Sequence, residues 1–286
     1  MAVPLAELRR LAIVKHVIYL LVAAAVAVPL IAHLLPGEFE PTPNARKLFD
    51  RVEALKPGTR VLISLDFDPG SEAELLPMGM AILQHCFQRG LVPLVMTNYP
   101  SGVDLARKIV EDAIDKSEEY LGKDLVSGAD YAFLGFRPGD VNLLLGMGEN
   151  LKGAFQTDYY GKPTANMKAL AGIRSLKDFE LVIDISSSAW VELWIVYGAD
   201  RFGFDYGAGV TAVMGPDMYP FIQAGQIVGL LDGLRGAADY EKLLAQKGRG
   251  MFGMTAQSAA HVLVILLVLA ANARFIFRRV TGKEEA

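Results

Sequence analysis

A chain of 286 residues with a formal net charge of −4 and 52% hydrophobic residues has no basic footprint for nucleic acid, whose binding relies on clustered Lys and Arg. Its one cysteine, Cys86, excludes an intrachain disulfide and any multi-cysteine zinc or iron–sulfur centre. The hydrophobic share is high for a soluble protein, and two stretches account for much of the excess. No Lys, Arg, Asp or Glu occurs from His16 to Gly37, and none from Gly250 to Ala273; each run can cross a hydrocarbon core that takes about 20 helical residues.

Basic residues stand outside each run: Arg9, Arg10 and Lys15 before the first, Arg274, Arg278, Arg279 and Lys283 after the second. The positive-inside bias then predicts a two-pass protein. Residues 1–15 and 274–286 are expected in the cytoplasm, spans at 16–37 and 250–273, and an extracytoplasmic domain at 38–249. The first run could also be read as a signal peptide, but its length and the lack of an Ala-x-Ala site favour an uncleaved anchor. His16 and His33, near its two ends, read as interfacial residues rather than a proton relay. Gln257, Ser258, His261 and Asn272 are polar points on the second span, suited to bonding a partner helix.

After the spacer Pro41-Thr42-Pro43, residues 44–55 carry Leu48, Val52 and Leu55 at helical spacing. Arg60 to Leu65 is a short apolar run bounded by turn residues, the mark of a buried parallel strand. Asp66-Phe67-Asp68-Pro69-Gly70-Ser71 follows it and leads into a helix over 72–89. Ligands favour such loops at strand carboxyl ends. Two aspartates one residue apart resemble the nucleophile and acid pair of haloacid-dehalogenase-type phosphotransferases. The resemblance stops there, because Gly70 stands where Thr or Val is usual and Asp184 is followed by Ile185 and Ser186 rather than an acidic pair. A capping box of Ser71 and Glu74, with Asp68-Pro69-Gly70 as the turn, is the favoured account.

A second strand is expected at 91–96, a charged-faced helix at 101–121, and a third strand at 129–136. Asp140 is the expected cap of an apolar segment over 141–154, in which Gly146-Met147-Gly148 suits close backbone packing better than a nucleotide loop. Residues 155–179 form an irregular connection whose Tyr159 and Tyr160 could rim a site or meet a partner, or be plain surface. A fourth strand at 180–185 ends beside Ser186-Ser187-Ser188, which could bind an anion or cap a helix. No Gly-x-Ser-x-Gly elbow surrounds these serines and no histidine stands out as a base, which argues against serine-hydrolase chemistry.

A fifth strand is expected at 207–214. From Met218 to Leu231 the chain is uncharged, with Gly225, Gly229 and Gly233 repeating every fourth residue. On a helix they would form one stripe that lets another backbone approach, within the monomer or in a second subunit. Strand and helix alternating five times predict an α/β fold, a Rossmann-like, doubly wound and mainly parallel sheet, flanked by the two transmembrane helices.

Almost the full chain resembles a group of bacterial membrane proteins built as anchor, α/β domain, anchor. The stretches that carry the resemblance are Phe67-Asp68-Pro69-Gly70-Ser71, Thr157-Asp158-Tyr159-Tyr160-Gly161, Gly209-Val210-Thr211-Ala212-Val213, Tyr219-Pro220-Phe221 and Ala256-Gln257-Ser258. It implies a bacterial source, hence the inner membrane, and lends nothing on chemistry. The leading expectation is a structural or assembly subunit, without cofactor, metal or catalytic residues. Its partners would be the bilayer and further copies or other subunits of a membrane complex, with Gly225, Gly229, Gly233, Tyr159 and Tyr160 as interface candidates. The alternative is a site that binds or hydrolyses a small molecule or phosphate ester, built from Asp66, Asp68, Ser71, Asp184, Ser186 and Asp217. A transport accessory is a weaker third reading, since the spans offer only histidines and amides as polar groups.

Overall fold

The computed structural model describes residues 5–281; Lys283 and the outermost parts of both flanking segments lie outside the described residues. The chain divides into a helical unit, formed by residues up to Glu38 and from Met251 onward, and an α/β unit, Phe39–Gly250.

In the helical unit, α1 (Leu5–Ile31) contains the stretch Ala12–Ile31, long and apolar enough to cross a membrane, and α10 (Arg249–Val280), which begins in the last residues of the α/β unit, is a second such helix. Helix α1 stops six residues before the expected end at Gly37, and His33 just beyond it has a positive φ of 48°. The His33 ring packs edge-on against Phe252, with centroids 5.1 Å apart.

In the α/β unit, α2 (Pro43–Glu53) begins with Pro at its first position and the Thr42 hydroxyl accepting the Ala45 N–H, a favourable pair of start signals. It is followed by β1 (Arg60–Asp66), α3 (Glu72–Gln88), β2 (Val92–Thr97), α4 (Val103–Leu121), β3 (Ala132–Phe136) and α5 (Asp140–Ala154). After three short 3-10 turns come β4 (Leu181–Ser186) and α6 (Trp190–Leu193), which runs through a π-helical turn into α7 (Asp200–Phe202). The unit is completed by β5 (Asp205–Val210), α8 (Gly215–Gln223), β6 (Gly229–Asp232) and α9 (Gly233–Leu243).

All six strands are parallel, in the order β3-β2-β1-β4-β5-β6, which is the Rossmann order. Side chains alternate across the sheet. Val61, Ile63 and Leu65 join Leu181, Ile183 and Ile185 in a core with α2, α3, α4 and α9. Leu62 and Val182 point the other way, into a core with α5, α6, α8 and the 155–179 connection. Burial on both faces explains why the central strands read as near-continuous apolar runs. Helix α4 turns Leu105, Ile109, Val110, Ala113 and Ile114 inward at helical spacing and ends at left-handed Gly122, φ 64°.

The first residues of the unit are tied down by α9. Arg235 and Lys242 lie over the Phe39 ring, 4.8 and 4.5 Å from its centroid, and the Lys242 ammonium donates to the Phe39 carbonyl. Buried Asp239 accepts from the Thr42 N–H and from Arg235.

The glycine-stripe helix is not formed, and the sheet has six strands where the sequence predicts five. Gly225 lies beyond the end of α8 with φ 77°, Gly229 opens β6, and Gly233 starts α9 with φ 56°. Left-handed backbone at two of the three positions breaks any continuous helix. The spacing serves other needs: a Cβ on Gly229 would meet the Leu48 backbone nitrogen and lie 2.7 Å from its Cα, so this glycine lets α2 nest on β6. Two smaller expectations also change. Gly139, not Asp140, occupies the cap position of α5, and Asp140 is its first residue. Gly148 does serve close packing, since a Cβ there would enter the Phe202 ring, whereas Gly146 faces open space.

Candidate functional site at the strand ends

In a sheet of this order the chain reverses its winding direction between β1 and β4, where ligands of doubly wound proteins favour the crevice beyond the strand carboxyl ends. Both strands bring an acid there. Asp66 is the last residue of β1, opposite Ser186, and Asp184 pairs across from Ser64. The two-residue period of a strand puts Ser64, Asp66, Asp184, Ser186 and, on β5, Tyr206 on one face.

These groups bond to one another. Asp66 accepts the Asn98 backbone N–H at 2.5 Å on Oδ1, and the Ser64 hydroxyl at 2.7 Å and the Asn98 amide at 2.8 Å on Oδ2. The Tyr206 hydroxyl donates to Asp184 Oδ2 at 3.2 Å. Asp66 and Asp184 are 0% exposed. Burial, then the neighbouring Asp66 charge, pushes the Asp184 carboxyl well above the usual carboxylate range. Burial also raises Asp66, but the bonds from Asn98 and Ser64 oppose the rise. Of the two, Asp184 is therefore the acid more readily protonated, as expected where two carboxyl groups are buried near each other. Burial, with Asp184 next, raises the Tyr206 phenol as well, so it stays a donor.

The six residues offered for a strand-end site do not assemble into one. Asp66, Asp184 and Ser186 come together. Asp68 instead caps the 3-10 turn Pro69–Ser71, accepting the Gly70 N–H at 2.9 Å. Ser71 makes no capping bond and Glu74 accepts from the Ala212 N–H at 2.8 Å, so the predicted capping box is not formed. The four-residue loop after β5 competes successfully for the Glu74 carboxylate. Asp217 lies exposed in the first turn of α8. Ser186 turns its hydroxyl back on the chain, to the carbonyls of Asp66 and Ser188 and the Ser188 N–H. Among the described residues no group of three or more His, Cys, Asp or Glu could hold a metal ion.

Sequence reasoning passed over Asn98, Ser64 and Tyr206. The available signal was Ser64, a polar residue two before Asp66 in an otherwise apolar strand, and so on the same face. His85, in the last turn of α3, is buried between two partners: Glu53 Oε1 at 2.9 Å from Nε2 and the Tyr240 hydroxyl at 2.8 Å from Nδ1. Burial lowers its pKa despite Glu53 and keeps the ring neutral. Cys86 is buried filler in α3, with burial pushing its thiol up to about 12.

Tyr159 and Tyr160 stand on a built loop. Asp158 accepts the Lys162 N–H at 2.8 Å through its side chain and donates its own N–H to the Lys162 carbonyl. The Tyr159 N–H bonds the Phe133 carbonyl at 2.9 Å, and its ring lies 5.0 Å from Phe133 and 5.2 Å from Tyr160. The two tyrosines are 39% and 48% exposed.

No protein-family model matches the chain, and a search of curated proteins returned no match. Among solved structures the chain is similar to a trehalose-6-phosphate synthase, OtsA, at 11% identity and a TM-score of 0.31, with 85% of this chain on 45% of that one. The chain thus spans less than half the length of that structure, and a likeness this slight carries no argument about function.

Proposed function

We propose that the protein is a membrane-anchored, non-catalytic assembly subunit of the bacterial inner membrane, whose α/β domain makes protein–protein contacts on the extracytoplasmic side. The observation that carries this reading is the Tyr159–Tyr160 tip: two half-exposed aromatic rings held in place by backbone bonds and by Phe133 behind them. Rigid aromatic groups of this kind anchor protein interfaces, because they bury a large area at little entropic cost. The inward-turned acids at the strand ends support it too, since a ligand there would have to displace protein side chains. Purified from its own membrane in mild detergent, the protein is expected in a particle heavier than one 31.0 kDa chain. Tyr160→Ala should weaken that association about tenfold without lowering Tm. A single-chain particle, or an association indifferent to Tyr160→Ala, overturns the reading.

The orientation rests on Arg9, Arg10 and Lys15 and on Arg274, Arg278 and Arg279. A phosphatase reporter fused after Glu38 should be active, and one that works only in the cytoplasm should be silent there; the reverse result inverts the topology.

A second reading, a small-molecule site at the strand ends, is favoured by one observation. Asp184 Oδ1 and Asn98 Oδ1 are buried there without hydrogen-bond partners, an arrangement that costs free energy unless something satisfies it.

A further inference from the structure

A pocket of about 250 Å³ opens between α3, α4 and the segment after α9, on the sheet face opposite the acids. Gln84 and Gln88, one helical turn apart on α3, form one wall, and Lys116 and Ser117 on α4 the other. Gln246 and Lys247 close it, brought there by a left-handed turn at Ala245, φ 56°.

Donors predominate in this pocket. Lys116 and Lys247 are exposed, and no acceptor for either ammonium is found among the described residues. Ser117 is only 2% exposed and its hydroxyl has no hydrogen-bond partner, an arrangement that costs free energy in an empty site. Gln84, 6% exposed, lines the same space. An adjoining recess of about 40 Å³ shares Gln84, Lys116 and Lys247 and adds Arg249 and Glu241. The Glu241 carboxylate accepts the Gly250 N–H at 2.9 Å, so three cations face one carboxylate that already has a backbone bond.

We propose that this pocket binds a phosphate group, carried either by a lipid headgroup or by a soluble phosphate ester. Lysines act as point charges toward phosphate, and the buried hydroxyl and amide supply short-range donors to orient its oxygens. The lipid source has support in the chain itself. Lys247 lies two residues before the start of the apolar helix α10 at Arg249, within about 8 Å of it along the backbone. The positive-inside bias gives no reason for Lys247 and Arg249 on the domain side of that span; a bound phosphate does.

The test uses the full chain in nonionic detergent, with Tm followed on adding phosphatidylglycerol, inorganic phosphate or, as a phosphate-free control, diacylglycerol. A ligand of the folded state raises Tm with concentration. Phosphatidylglycerol should raise it and diacylglycerol should not; a shift with phosphatidylglycerol alone assigns the phosphate to lipid, and an equal shift with inorganic phosphate assigns it to a soluble ester. Lys116→Gln with Lys247→Gln should weaken binding about tenfold or more with the ligand-free Tm unchanged. Ser117→Ala, which adds no bulk, should weaken it about threefold and decides the matter should the double variant fold poorly. No shift from either phosphate probe, or a shift that all these variants retain, overturns the proposal.

Discussion

Gly229→Ala is expected to destabilise the α/β domain by about 3 kcal/mol, at the top of the usual range for overpacking because the obstruction is backbone. The added Cβ would meet the Leu48 nitrogen and lie 2.7 Å from both its Cα and Cβ. Leu48 is fully buried in the core that joins α2 to the sheet, so relief requires moving α2 or opening the β5–β6 edge, not turning a side chain. For a domain of this size Tm should fall by about 6–12 °C. Trp190 and Trp194, the only tryptophans, both lie in the α/β unit and report its unfolding by fluorescence. Gly225→Ala is the control. A Cβ there meets nothing within 4 Å, and the cost is only that of φ 77°, about 1–2 kcal/mol. Equal losses at the two positions would remove the close-approach account of Gly229.

Asp184→Asn is expected to stabilise the domain at neutral pH and to remove a pH dependence. Folding raises the Asp184 pKa above its ordinary value of 3.8. The stability this carboxyl permits is therefore fully present below about pH 3.8 and is lost as pH rises toward and through its folded value. In that window the wild type should fall behind the variant by up to about 1.4 kcal/mol per pH unit. Asparagine keeps the one bond this side chain makes, since its carbonyl oxygen accepts from the Tyr206 hydroxyl. His85 works in the opposite direction, because its lowered pKa costs stability as pH falls below 6.5. For that reason the informative quantity is the difference between wild type and variant, in which His85 cancels. A Tm difference that does not vary between pH 4 and pH 7 would mean that folding does not raise the Asp184 pKa. Saturable binding of a small molecule lost on Asp184→Asn would instead favour the strand-end site.

The parts of this protein legible in its sequence are those specified by periodicity. Each of the two charge-free runs overlaps a helix long and apolar enough to cross a membrane. Five apolar runs bounded by turn residues became β1 to β5 within a few residues, because a strand buried on both faces must be apolar throughout. The sixth strand escaped. Gly229–Asp232 is four residues long and lies in an uncharged stretch whose fourfold glycine spacing imitates a helix; only the left-handed φ of Gly225 and Gly233 and the close approach of Leu48 decide otherwise.

The candidate site divides in the same way. Asp66 and Asp184 could be placed at strand ends from the sequence, and Ser64 could have been placed with them by its two-residue offset. That the two carboxylates turn inward side by side, while Asp68 caps a turn and Glu74 reaches the Ala212 N–H, depends on strand order and register, which bring together residues 118 apart in the chain. Local pattern determines which face a side chain takes and whether a segment is buried. Long-range pairing determines which buried groups meet, and for a carboxylate in a low-dielectric interior that meeting fixes its charge.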